Sequence, residues 1–414
     1  MLDGDTGRDV RGAAVRIGFH RARTDMRGIA RVKLRRRGAY LVHAAKRGYE
    51  ATVTRLQFRN HPKVAVKIYR PALQWTMYGA DPARTQTHTR IHVRPPFRIV
   101  WSRPLGGLLE FPAVADDGVA FVANSWGSVR ALLMTNGRLV WRHDVPGGEM
   151  ASSVAVWRDA IVVHGMDGHV WLLDRHNGRL LWRYTIGSPI ESSPVVWHGV
   201  DFFGSWNGDI YALDLRTRRL RWVYRSGAKI TSSASVAGGT LFIGDYAGRL
   251  FALSAISGRH RWTAGVNGRI YGTPAVAASR VFVPSSDGDS MSAFSLGGRL
   301  VWRIYTGAYV YSSPAVWAGR VFFGSHNGVL YCASTANGRV LWRYSGGSPI
   351  SGAPTVVAGI VYFAGLHNGI HALDGRTGRL LFHLRDGNYV PVSGAGNKLL
   401  LHGYSRLYGV VHRG

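Results

Sequence analysis

Residues 190–222 read IESSPVVWHGVDFFGSWNGDIYALDLRTRRLRW, and closely similar text recurs about every 40 residues through most of the chain. Within this stretch 193–197, 200–204, 209–214 and 220–224 are short runs rich in β-branched and aromatic residues, separated by turn residues. Asn207-Gly208 accepts the positive φ that a tight hairpin needs, so the second and third runs are expected to be antiparallel neighbours. One unit is therefore one small antiparallel sheet.

The phase of the repeat gives the architecture. Trp101, Trp141, Trp182, Trp222, Trp262, Trp302, Trp342 and Phe382 are 40 or 41 residues apart. A period near 40 with four strands per unit means a β-propeller of eight four-stranded blades. The hairpin between second and third strands recurs in phase, at Trp126-Gly127, Asp167-Gly168, Asn207-Gly208, Ala247-Gly248, Asp287-Gly288, Asn327-Gly328, Asn368-Gly369 and, more weakly, 402–405. Both series count eight only if the strand around Trp101 joins the last blade, whose own text supplies three strands. The ring is expected to close that way, which removes an open sheet edge.

Between third and fourth strands Ala372, Asp374, Thr377 and Gly378 fit Ala-x-Asp-x-x-Thr-Gly-x-x-x-Trp with Phe382 last. Ala212, Asp214, Thr217 and Trp222 fit it with Arg218 in the glycine place. On these residues the chain resembles the quinoprotein-like repeat propellers, including outer-membrane assembly factor B. The resemblance implies that the eight aromatics dock each blade onto its neighbour. It also implies an extracytoplasmic, cell-envelope location for a chain in which no export signal is visible.

Residues 97–414 are assigned to the propeller. Residues 71–96, with Pro71, Pro82, Pro95 and Pro96, read as a linker. Within it Trp75-Thr76-Met77-Tyr78-Gly79, Asp81-Pro82 and Arg84-Thr85 resemble the lead-in of bacterial quinoprotein-type propellers. Residues 1–70 lack the period. Runs at 13–19, 30–34, 39–44, 52–58 and 64–69 suggest a small β-sandwich. Thr24-Asp25, Gly28, Val32, Leu34, Gly38, Tyr40, Val42, Gly48 and Tyr49 resemble the carboxypeptidase regulatory-like, transthyretin-type domain, which implies a spacer or adhesion unit. Thr6-Gly7 falls so early that the domain is expected to be truncated at its start.

Formal charge is +29, and residues 1–100 carry +16 of it. The densest run is RVKLRRR at 31–37. On an alternating strand Arg31, Lys33, Arg35 and Arg37 would share a solvated face, or one that meets an anionic envelope polymer. No nucleic-acid-reading motif accompanies the run. Cys332 is the sole cysteine, which excludes an internal disulfide and a multi-cysteine zinc site. No stretch approaches the ~18 apolar residues of a membrane span. The only glutamates are Glu50, Glu110, Glu149 and Glu191, and no acids have calcium-ligand spacing. No nucleophile elbow, phosphate loop or zinc-protease helix is present. The expectation is accordingly a chain that is no enzyme and has no cofactor or metal. A quinone-dependent dehydrogenase and a polyanion-binding protein are the alternatives.

The first strand of each blade lines the central channel, with small pairs such as Ser152-Ser153, Ser192-Ser193, Ser232-Ser233 and Ser312-Ser313. Just before these pairs the residues diverge: Ala151, Glu191, Thr231, Tyr271, Tyr311 and Ser351, with Lys229 and Arg269 two places upstream of Thr231 and Tyr271. Variable side chains on a uniform scaffold are where a propeller encodes its partner. The candidate binding residues are therefore Glu191, Lys229, Thr231, Arg269, Tyr271 and Tyr311, and the expected ligand of a monomeric protein is a protein or peptide. His326, His367, Trp206 and Tyr246 share a turn position that reads as hairpin packing. Glu191 alone in its unit has no repeat-level structural explanation.

Overall fold

A computed structural model describes residues 1–59 and 63–414, in two compact units. Residues 60–62, inside the expected amino-terminal domain, lie outside the described residues. Apart from a short 3-10 turn at Pro71–Leu73, the described residues form only strands and loops. No helix among them is long and apolar enough to cross a membrane.

The first unit comprises residues 1–74, 116–118 and 395–397. Its antiparallel sheet has the order His20–Arg23, Ala14–Ile17, Gly38–Ala45, Thr52–Phe58, and Leu2–Asp3 pairs in parallel with Lys67–Ile68. Val15, Ile17, Val42, Ala44 and Leu56 bury one face of the sheet. Two strand expectations need correction. The 64–69 run is a strand only at Lys67–Ile68, and the 30–34 run joins no ladder because Gly38–Ala45 already has a partner on each side. The alternation still holds: Val32 and Leu34 pack on the core while Arg31, Lys33 and Arg35 are exposed. Asp3 and Asp5 knit the ends of this unit together. Asp3 accepts from Tyr49 (2.8 Å) and Arg70 (2.6 Å), and Asp5 accepts from the Arg70 amide and the Gln74 side chain (2.8 Å each).

The second unit comprises residues 75–115, 119–394 and 398–414, and its strands fall into eight sheets among the described residues. The opening stretch forms Val195–Trp197, Val200–Gly204, Asp209–Asp214 and Arg219–Arg225, all antiparallel. Ala212 is the cross-strand partner of Trp222, and the register shifts by one just after it. A large ring followed by a bulge recurs in the other blades and adds to their twist, opposite a small residue in all but the second, where Leu172 faces Trp182. Phe97–Pro104 pairs antiparallel with Arg406–His412, Trp101 opposite Gly409, as fourth strand of the last blade. The strand before the first blade thus completes the eighth.

The aromatics reach the next blade as well as their own. Trp101, Trp141, Trp222, Trp262 and Trp302 donate their indole N–H to the backbone oxygens of Met134, Arg175, Ala255, Leu296 and Thr335, at 2.8–3.2 Å. The motif glycine is explained by the same contact. A Cβ on Gly258 would lie 2.7 Å from the Trp222 ring, and one on Gly378 would lie 2.8 Å from Trp342. Trp182 packs on the core beside Tyr184, and Phe382 meets Phe97 edge to face at 5.0 Å.

The linker expected at 71–96 is corrected most. From Trp75 onward the chain belongs to the propeller's own unit. Trp75 exchanges two backbone hydrogen bonds with Ala115. The carbonyls of Thr76, Pro82, Ala83, Thr85 and Gln86 then accept from Val156, Val236, Val276, Val316 and Val356, each in the first strand of a different blade. Thr87–His88 run parallel to Thr355–Val357. The segment is a belt laid around the inside of the channel. It carries no strand or helix period because each carbonyl serves a separate sheet. Arg84, 1% exposed, donates to the carbonyls of Tyr78, Ser193 (3.0 Å), Pro194 (2.8 Å) and Ala234 (3.0 Å), which supplies the contact to the third blade. Burial lowers its pKa to about 10, still well above neutrality.

Candidate functional site

On the other side of the belt the channel opens into a cavity of about 450 Å³, with Tyr78 of the belt, Ser233, Thr273 and Ser313 in its wall. The residue four places ahead of the channel strand stands around it in the first blade and in the third to seventh, while Ala151 of the second does not line it. Of the candidate residues, Glu191, Thr231, Arg269, Tyr271 and Tyr311 line this one cavity. Lys229 does not; its ammonium lies 3.4 Å from the centroid of the Trp206 ring and 5.1 Å from that of Tyr246.

The Glu191 side chain is 9% exposed and tied at both oxygens. Trp206 Nε1 donates to Oε2 (3.0 Å) and the Tyr271 hydroxyl to Oε1 (2.6 Å). Burial and the neighbouring Glu191 charge push the Tyr271 phenol up, so it stays a donor. Tyr271 meets Tyr311 edge to face at 5.3 Å, and Tyr311 meets His326 at 4.8 Å. His326 Nε2 bonds the Ser351 hydroxyl at 2.6 Å, and burial lowers the pKa of its imidazole. The Arg269 guanidinium reaches the Asp287 carboxylate at 3.4 Å, and its amide donates to the same side chain at 2.6 Å.

Glu110 is the member of this site that sequence reasoning passes over. The residue before the variable position is Ile190, Ile230, Ile270, Val310 or Ile350 in five blades, every one fully buried. Leu109, 2% exposed, is their counterpart, which makes Glu110 the first blade's equivalent of Glu191. Phe111-Pro112 in place of the serine pair hides the alignment. Burial, reinforced by the Glu191 charge, raises the Glu110 pKa to about 7.

The turn residues need correction too. Trp206, Tyr246, Ser286 and His326 each donate an amide to the neighbouring loop, and in the seventh blade Leu366 makes this bond, not His367. The second strand there, Ile360–Gly365, is one residue longer and shifts His367 out of phase. Tyr246, Ser286, His326 and Leu366 line the cavity, and Trp206 orients Glu191, so these positions belong to the mouth as much as to hairpin packing.

Fold and site define a propeller of quinoprotein-type repeats with a side-chain-lined channel mouth. The family of outer membrane protein assembly factor BamB matches residues 83–205, 206–310 and 293–405, and the chain belongs to that family. BamB from Moraxella catarrhalis superposes with a TM-score of 0.65 at 17% identity, over 77% of this chain and 98% of that one. Quinohemoprotein alcohol dehydrogenase from Comamonas testosteroni superposes with a TM-score of 0.70 at 14% identity, over 82% and 80%. Quinohemoprotein alcohol dehydrogenase ADH IIB of Pseudomonas putida is 28% identical over 91 residues, 20% of this chain and 13% of its own length.

These relatives overturn the expectation of a chain that is no enzyme. The same propeller serves quinohemoprotein dehydrogenases, so neither the repeat nor an absence of ligand spacing in the sequence separates this chain from enzymes. Spacing misleads here because Glu110 and Glu191, two blades apart, converge on one cavity. The lining nevertheless does not fit pyrroloquinoline quinone, a tricarboxylate. The residues facing the cavity include Glu110, Glu191 and Asp287 against one cation, Arg269, already paired with Asp287.

Proposed function

We propose that the chain is a docking scaffold of the cell envelope whose channel-mouth face holds a protein or peptide partner. The observation that carries this reading is the mouth: one uniform backbone position bears Glu110, Glu191, Thr231, Tyr271 and Tyr311 around one cavity. Family membership supports it, since the family is named for outer membrane protein assembly. Side chains that differ on a fixed scaffold give specificity, and tyrosines give contact area at low entropic cost. The test is a photo-crosslinker at Tyr311, compared with one at His198 in the turn between first and second strands of the third blade. Partner adducts from Tyr311 but not His198 are expected; equal labelling, or none, counts against mouth docking.

The amino-terminal unit fits this reading as a carboxypeptidase regulatory-like spacer whose exposed Arg31, Lys33 and Arg35 steer the chain towards anionic polymers. Salt-insensitive retention on a teichoic acid column would remove that role. The curated dehydrogenase relative supports a second reading, alcohol oxidation. Dye reduction with a primary alcohol after incubation with quinone and calcium would establish it, against the charge of the lining.

A further inference from the structure

We propose that the mouth cavity binds an organic cation, an alkylammonium or guanidinium group, between Glu110, Glu191 and its aromatic wall. The proposal goes beyond partner docking, because it stands on the cavity alone.

Charge is the first argument. The chain carries +29, and of its four glutamates two, Glu110 and Glu191, face this cavity. Asp287 and Arg269 largely cancel each other at 3.4 Å. The cavity is thus locally acidic in a strongly basic protein, and an anionic ligand would have to face both glutamates.

Unused polar atoms are the second argument. The Glu191 oxygens each have one donor, whereas the Glu110 carboxylate has no hydrogen-bond partner among the described residues. Ser286 Oγ, in the cavity wall, belongs to a residue 2% exposed and has no partner either. A buried hydroxyl without a partner is costly, the half-buried Glu110 carboxylate has unused acceptor capacity, and a ligand carrying several N–H donors would satisfy both.

The walls are the third. Phe111, Tyr246, Tyr271, Tyr311 and Tyr389 present aromatic surface to the cavity. Rings at this mouth already hold cations, with Lys229 over Trp206 and Tyr246 and Arg269 over Tyr246 at 5.8 Å. Carboxylates combined with ring faces recognise ammonium and guanidinium groups. A volume of about 450 Å³ accommodates a group the size of an arginine side chain.

A bound cation favours the ionised form of Glu110, so affinity should rise from pH 6 to pH 8, across its value of about 7. Glu191, Tyr271 and Tyr389 face Glu110, and Arg269, Asp287 and His326 stand around the same cavity.

The test is calorimetric titration of the full chain with agmatine, and separately with a blocked glycine peptide bearing one central arginine. Agmatine is expected to bind, roughly tenfold more weakly to Glu191→Gln and undetectably to the Glu110→Gln/Glu191→Gln double variant. Glu149→Gln, outside the cavity, should bind like the wild type. Glutamine keeps one oxygen to accept from Trp206 and an amide that can donate to the Tyr271 hydroxyl, and an unchanged near-ultraviolet dichroism spectrum confirms folding. Tighter binding of the peptide identifies a protein side chain as the source of the cation, and binding of agmatine alone identifies a free amine. Failure of agmatine to bind the folded wild type, or equal binding to the double variant, overturns the proposal. Cross-links from Tyr311 that persist in that case leave partner docking intact, and loss of cross-links with agmatine binding retained removes docking alone.

Discussion

Two arginines mark the two sides of the channel. Arg84 is 1% exposed and gives its guanidinium to carbonyls of the belt and of two blade loops. Arg269 has a side chain 61% exposed and leans on one aspartate at 3.4 Å. The first is a construction element, fixed by main-chain oxygens that any sequence would supply. The second stands where other blades carry Glu149, Pro189, Lys229, Tyr309 and Pro349, so its identity is free to follow a ligand. Closure of the channel is thus encoded in backbone geometry and chemistry at its mouth in side chains.

The sharpest way to break this contrast is Arg84→Met. It leaves four buried carbonyl contacts unmade and should destabilise the fold by about 4 kcal/mol in urea titration, with Arg84→Lys recovering only part. Trp222→Ala acts between blades and should cost about 3 kcal/mol, through lost packing against Gly258 and the lost bond to Ala255.

At the mouth the sign reverses. Glu110 has a folded-state pKa of about 7 against an ordinary 4.5, so its ionisation costs more in the fold than in the unfolded chain. Its contribution falls as pH rises from about 4.5 to about 7 and is level above that. Glu110→Gln should therefore stabilise the protein at pH 8, on the order of 2 kcal/mol, and make no difference at pH 4. His371 and His402 slope the other way: burial lowers both to about 4, so their contribution grows as pH rises from 4 to 6.5. The difference between wild type and Glu110→Gln isolates the glutamate. Ser286→Ala, whose hydroxyl has no partner, should change stability by less than about 0.5 kcal/mol while weakening any ligand that uses that hydroxyl.

Much of the propeller was legible because Trp222 and its counterparts recur at a fixed distance and a 40-residue period has few structural solutions. The belt was not legible, since Thr76 to Gln86 bond to separate blades and follow no local period. At the mouth, Glu191, Thr231, Tyr271 and Tyr311 stood out as departures from the repeat. Glu110 did not, because its blade begins with an irregular loop, although Leu109 ahead of it keeps the apolar signature of Ile190. His164 and Asp201 show a further limit. They stand where Gly204 and Leu241 stand in neighbouring blades, and only in three dimensions do they meet, at 2.8 Å in a fully buried pair. Each alone reads as an irregularity, and together they are a compensated substitution.

The belt has a bearing on how the ring is put together during synthesis. Its bonding positions, from Trp75 through Thr76, Pro82, Ala83 and Thr85 to Gln86, follow the same order as the blades that bond to them, from Ala115 to Val356. Because the belt precedes the blades in the sequence, the bonding partners of the first, second, fourth, fifth, sixth and seventh blades have left the ribosome before those blades do. The pairing of Arg406–His412 with Phe97–Pro104 needs the last strand of the propeller, so the ring can close only after all eight blades are made.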